Sequence, residues 1–199
     1  MKRITVVLTV LLLTAGAGAA QAQTWFWGLT YGMSVPSGDT NDFVSSTSWR
    51  NVSLEGRRVD LMGKKSVGVS FGWNVFNESG ERTSQLPGVP GAVTGDQFRY
   101  INTFPMLVNG HLYFGQPGGT RPFVGANVGV YYTEYRLEIG TVAFEDNAWL
   151  FGGTPEIGVI FPTGMTKMFL SARYNITTSS GDIPSQQYFQ LSVGLASAN

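Results

Sequence analysis

From Trp25 to Ala196 the chain alternates, residue by residue, between apolar side chains and small or polar ones, and this period of two constrains the fold more than any other feature. The stretch SVGVSFGWNVF, residues 66–76, shows it plainly. Val67, Val69, Phe71, Trp73 and Val75 take the odd positions, and Ser66, Gly68, Ser70, Gly72 and Asn74 the even ones. Successive side chains of a β-strand point to opposite faces, so the segment has one greasy face and one face of glycine and small polar groups. A soluble protein buries the greasy face, whereas a barrel in a bilayer turns it outward to lipid.

Six further runs keep the rule. WFWGLTYGMSV (25–35) sets Trp25, Trp27, Leu29, Tyr31, Met33 and Val35 against Phe26, Gly28, Thr30, Gly32 and Ser34. Residues 98–114 oppose Tyr100, Phe104, Met106, Val108, Leu112 and Phe114 to Arg99, Thr103, Asn109 and His111. The run 122–132 sets Val124, Ala126, Val128, Val130 and Tyr132 against Gly125, Asn127, Gly129 and Tyr131. In 149–161, Trp149, Phe151, Ile157, Val159 and Phe161 face away from Gly152, Thr154, Glu156 and Gly158. In 167–176, Met168, Leu170, Ala172, Tyr174 and Ile176 face away from Lys167, Ser171, Arg173 and Asn175. In 188–196, Phe189, Leu191, Val193 and Leu195 oppose Gln190, Ser192 and Gly194. An eighth strand fits only in WRNVSLEGRRVDL (49–61), where the alternation slips past Gly56; a bulge there would restore register, and the alternative is that part of 37–62 is loop.

The links between runs alternate in length. Gly63-Lys64-Lys65, GQPGGTR (115–121) and PTGM (162–165) are short, whereas 36–48, 77–97, 133–148 and 177–187 are long. One rim is trimmed and the other elaborated, as in outer-membrane barrels with short periplasmic turns and long outer loops. A run of about eleven residues at ~3.3 Å each, tilted by ~40°, rises roughly 28 Å, which matches the apolar band of a bilayer. Aromatics collect at the ends of the greasy face. Trp25, Trp27, Phe114 and Phe161 fall near the trimmed rim; Trp73, Tyr100, Tyr132, Trp149, Tyr174 and Phe189 fall near the elaborated one.

Composition argues the same way. Charged residues are 13% of the chain, about half the usual share, and glycine, 26 of 199 residues, is nearly twice its usual share. A secreted lipocalin-like barrel would have to show water a surface of glycine, serine and asparagine; turned inward, the glycines suit a narrow eight-stranded interior. The N-terminus, with Lys2 and Arg3, the apolar run ITVVLTVLLL (4–13) and Ala20-Gln21-Ala22, predicts a signal peptide cleaved after Ala22, and 23–199 is then one domain. Without Lys2 and Arg3, eleven basic residues face thirteen acidic ones, so no basic surplus points to nucleic acid. There is no cysteine, hence no disulfide scaffold.

The reading is an all-β, eight-stranded antiparallel up-and-down transmembrane β-barrel. WFWGLTYGMS, SVGVSFGWNVF, RPFVGANVGVYY and QYFQLSVGL, together with the leader, resemble the outer-membrane β-barrel domain family of opacity-type and OmpA- and OmpX-like eight-stranded barrels. The resemblance covers essentially the whole mature chain and implies location in the cell outer membrane, contact with outer-membrane lipids and lipopolysaccharide, and insertion by the barrel-assembly machinery. Many such barrels end in an aromatic residue; this chain ends LASAN, which leaves that role to Tyr188 and Phe189 or to a different recognition.

Chemistry is sparse. His111 is the sole histidine and is expected in the lumen as a structural, hydrogen-bonded residue; where outer-membrane lipid A deacylases pair a His with a Ser two residues on, position 113 is Tyr. No metal cluster, phosphate loop or cofactor motif is present. Glu156, Lys167 and Arg173, joined from the opposite side by Glu55, Arg57 and Arg99, are expected to face the lumen as a plug of paired charges, with a narrow ion pathway as the rival reading. The expected role is non-catalytic surface contact through long outer loops with an external ligand of unspecified identity. A small porin and a soluble lipid-binding barrel are the alternatives. No module follows Leu195, so no C-terminal peptidoglycan anchor is expected.

Overall fold

The computed structural model describes residues 24–85, 92–140, 142–164 and 166–198. The leader 1–22, its cleavage site and Gln23 lie outside the described residues. Eight antiparallel strands close into a barrel in chain order: β1 (Thr24–Ser37), β2 (Ser48–Val59), β3 (Lys65–Gln85), β4 (Ala92–Tyr113), β5 (Arg121–Ile139), β6 (Val142–Thr163), β7 (Thr166–Thr177) and β8 (Gln187–Ala198). A short helix, α1 (Gly38–Phe43), follows β1. β1 pairs with β8 from Phe26↔Ala198 to Ser37↔Gln187, so no edge strand remains.

The alternation settles which face is inside. Val67, Phe71, Val108, Ile157 and Leu195 are exposed on the barrel's exterior, whereas Ser70, Asn74, Asn109, Glu156 and Ser192 are buried within. The apolar face is therefore the outer one, as a lipid-embedded barrel requires. Inward glycines make room for large neighbours. A Cβ on Gly125 would collide with the His111 ring, one on Gly158 with Phe123, and one on Gly194 with Phe169.

Three expectations need correction. β2 has no bulge at Gly56: its ladders to β1 and β3 run unbroken through that residue. The irregularity lies at the other end, between Gly32 and Ser34 of β1, where Trp49 and Arg50 of β2 both emerge exposed. The apparent slip past Gly56 is a change of environment at constant parity. Val59 turns inward against the aromatic cluster around Phe26, and Arg58 turns out at the barrel's end, where a long cationic side chain reaches beyond the apolar band. Second, 77–97 and 133–148 are not long loops. β3 and β4 stay paired to Gln85↔Ala92, and β5 and β6 to Ile139↔Val142, so the elaborated rim carries two tall hairpins. Third, Val75 keeps its outward parity but is covered, at 3% exposure.

The interior is layered. At the short-turn end Phe26, Tyr113, Phe123, Ile160, Phe169 and Ala196 form an apolar plug. Towards the outer end Val44, Phe76, Ile101, Leu107, Tyr131, Tyr135, Leu150, Ile183 and Tyr188 form another. Charged and amide side chains fill the space between.

Candidate functional site

The middle layer is built by residues whose parity points them inward from five strands. β2 supplies Glu55 and Arg57, which pair at 2.8 Å; β7 supplies Arg173, whose guanidinium donates to Glu55 at 3.1 Å and to Glu156 of β6 at 3.0 Å. Arg57 lies 3.7 Å from Glu156. Two carboxylates and two guanidinium groups thus neutralise one another, and none is more than 5% exposed. Charges so placed are tolerable only when paired and hydrogen-bonded. Part of the remaining capacity is met around them: Asn127 donates to Glu156 at 3.2 Å, and Arg57 donates to the Tyr113 hydroxyl at 3.1 Å, while Glu55 Oε1 and the Nε atoms of Arg57 and Arg173 are buried without a hydrogen-bond partner. Arg57 also lies over the rings of Phe26, Phe123 and Phe169, at 5.3, 5.3 and 5.8 Å from their centroids, so aromatic faces stand in for lost water.

His111 joins this layer through Nε2, 3.1 Å from Glu156, and its Nδ1 lies 3.5 Å from the Ser66 hydroxyl. Serine, histidine and carboxylate in that order have the connectivity of a nucleophilic relay. Yet Ser66, His111 and Glu156 are 4%, 2% and 2% exposed, Ser66 shares a 2.9 Å hydrogen bond with Tyr113, and Glu156 is committed to Arg173 and Asn127. A nucleophile needs open space in which an electrophile can sit, and this one is sealed. Among the described residues no group of three or more His, Cys, Asp and Glu is arranged to hold a metal.

The lumen expectation thus divides. Glu156, Arg173 and His111 meet in one cluster, with Glu55 and Arg57 at its centre. Lys167 stands apart at the short-turn rim, half-buried in the wall of a cavity that Asp60 and Arg121 also line. Arg99 lies at the opposite end, where it donates to Gln97 at 3.0 Å and to the Phe43 carbonyl at 3.0 Å and covers the Phe43 ring at 5.2 Å, docking α1 onto the barrel. The aromatic cage of Arg57 went unrecognised in the sequence. Its signal was there: Phe26, Phe123 and Phe169 all fall on the small-residue faces of their strands.

The expected interface aromatics lie on the exterior. Trp25 and Trp27 stack at 5.9 Å near the short-turn rim. Trp73, Phe104, Tyr132 and Trp149 form a row across β3 to β6, with successive centroids 6.5, 6.2 and 5.2 Å apart. Tyr174 lies further round, its hydroxyl donating to Gln187 at 3.3 Å.

Above this row the β5–β6 hairpin, α1 and the link between β7 and β8 border a cleft of about 570 Å³, lined by Phe43, Tyr135, Leu137, Phe144, Ile183 and Pro184, with Glu145, Asp146 and Asp182 as its acidic lining residues. Phe43 meets Tyr135 edge to face at 5.0 Å. Burial pushes the Tyr135 phenol up to about 12, so it stays neutral and protonated. The outer segments carry Asp39, Asp42, Glu78, Glu81, Asp96, Glu134, Glu138, Glu145, Asp146 and Asp182 against Arg50, Arg82, Arg99 and Arg136. The short-turn rim carries Arg58, Lys64, Lys65, Arg121 and Lys167 against Asp60. The molecule is charge-polarised along its axis.

No protein-family model and no curated protein matches the chain. Solved structures do. The fold is similar to the crystal structure of Neisserial surface protein A, with a TM-score of 0.53 at 12% identity over 90% of this chain and 98% of that one. It is also similar to the outer membrane protein OprG from Pseudomonas aeruginosa, with a TM-score of 0.51 at 13% identity over 90% of this chain and 97% of that one. At such identity the likeness establishes the architecture, an eight-stranded barrel of the outer-membrane type.

Proposed function

We propose that this protein is a closed, non-catalytic barrel of the bacterial outer membrane whose work is done by its outer end, a rigid acidic platform with an apolar cleft that meets partners outside the cell. One observation carries the reading: the lumen is filled by two apolar plugs around a neutralised charge layer, while the β-ladder continues well past the outer aromatic row. Gln85 lies roughly 40 Å along the strand from Trp73 at ~3.3 Å per residue, so the hairpins stand clear of the headgroups. The surplus of carboxylates favours cationic or cation-bridged partners, and lipopolysaccharide contact falls to the few cations near the outer belt, Arg50 beside Trp49 foremost. The barrel-assembly machinery is the partner during insertion.

Two measurements test this. Because the chain has no cysteine, single cysteines report topology cleanly. On intact cells Phe144→Cys should react with an impermeant maleimide, and Gly118→Cys only after permeabilisation. In planar bilayers the wild type should show no defined conductance; a reproducible single-channel conductance from the folded wild type would make it a channel.

A further inference from the structure

The cation-rich rim holds a feature that the outer-end reading leaves unused. A partly enclosed cavity of about 160 Å³ opens at the short turns between β1, the β2–β3 turn, the β4–β5 turn and the starts of β5 and β7. Arg121 and Lys167 line it. The ladders place Arg121 beside Ile160 and Lys167 beside Pro162, one pleat repeat apart on β6, so two long cations reach inward from either side of that strand. Among the described residues neither has a carboxylate within ion-pair distance. Asp60, the one carboxylate lining the cavity among the described residues, accepts the Lys65 backbone N–H at 2.9 Å and so holds the β2–β3 turn.

Arg121 is held in place yet underused. Its guanidinium lies over the Tyr113 ring at 5.0 Å and donates to the Gly63 carbonyl, while its Nε is buried with no hydrogen-bond partner. What recommends it as an anion ligand is a positive charge fixed at the cavity wall, since a guanidinium makes charge-assisted hydrogen bonds to phosphate oxygens. Gly118 and Gly119 form part of the wall, and Lys64 and Lys65 on the adjacent turn add to the positive potential.

We propose that this cavity is a binding site for a phosphate group, held between the Arg121 guanidinium and the Lys167 ammonium. The phosphate is either the free ion or the headgroup of an anionic phospholipid in the adjoining leaflet. The volume admits one such group and the first atoms of whatever carries it.

The test uses the isotope-labelled barrel in phosphatidylcholine nanodiscs, with NMR signals of the Gly118 and Gly119 amides and Arg121 Nε–H as the readout. Inorganic phosphate is titrated against matched chloride, and the same signals are recorded in nanodiscs containing phosphatidylglycerol. A saturable shift with inorganic phosphate identifies the free ion as sufficient; a shift with phosphatidylglycerol alone identifies the lipid headgroup. Either result should weaken roughly tenfold in Arg121→Gln and in Lys167→Gln. Heat-modifiable gel mobility confirms that each variant is folded, and if Arg121→Gln does not fold, Lys167→Gln decides. No saturable shift with either probe, an equal shift with chloride, or a shift unchanged in the folded variants would overturn the site.

Discussion

Glu156 shows how much rests on single side chains in this interior. It accepts from Arg173, His111 and Asn127 at once, and it lies between two guanidinium groups. Glu156→Ala would leave Arg173 and Arg57 with one carboxylate between them inside a sealed barrel. A cost of about 3–5 kcal/mol is expected, read as a lowered midpoint of urea unfolding in lipid vesicles. Pairing it with Arg173→Met should recover part of that loss, because the surplus cation goes too. This layer was half legible in the sequence. Parity alone placed Glu55, Arg57, Glu156 and Arg173 on the inward face, since a strand gives each position one face or the other. Lys167 and Arg99 have the same parity but lie near opposite ends of the barrel, and height along the axis is set by the stagger between strands, which parity does not encode. Pairing distance was out of reach for the same reason.

Among the elements, the two tall hairpins depart most from what the sequence suggested. NESGERTSQLPGVPGAVTGDQ (77–97) is rich in Gly, Pro, Ser and charge, the composition of a loop, yet Asn77–Gln85 and Ala92–Gln97 continue the β3–β4 ladder. A ladder already in register extends cheaply, because each added pair gains backbone hydrogen bonds with no new loop to close. Local propensity was overruled by a neighbour already in place. The β2 segment shows the converse. Its alternation blurred because Val59 and Arg58 answer to the end of the bilayer and not to its middle. Since the hairpins share no contact with the buried charges, removing Gly80–Gly95 and rejoining the strands should leave the unfolding midpoint within about 1 kcal/mol of wild type. Binding of external partners should fall, measured on cells displaying the shortened barrel.

For the whole molecule, the inside and outside were the easiest things to read and the most consequential. Seven alternating runs, a glycine face and rim aromatics all agree, and agreement across levels is what a sequence offers when it specifies one fold. Depth in the membrane is the testable form of that reading. Lipids brominated near the headgroup should quench the stacked Trp25 and Trp27 more strongly than lipids brominated near the chain ends. Trp73 and Trp149 should behave alike at the opposite interface, and equal quenching at all depths would contradict the two-belt arrangement. The axial charge polarity belongs to this scale too: contact of cationic partners with the outer end should weaken as salt rises, because the Debye length falls from ~10 Å at 0.1 M to ~3 Å at 1 M.

The closing seam has a kinetic side. Every strand pair but one joins neighbours in the chain, and hairpins of that sort zip quickly; β1 and β8 must find each other across nearly the whole domain. Glu55 and Arg173 stand 118 residues apart and straddle that seam, β2 on one side and β7 on the other, so their bridge forms only once the circle shuts. Contacts made after the rate-limiting step slow departure without hastening arrival. Glu55→Gln should therefore raise the unfolding rate and leave the folding rate nearly untouched, a split that the two arms of a urea chevron would reveal. On this account the buried charges act as a latch on a ring already closed, and they set how long the barrel lasts once it is in the membrane.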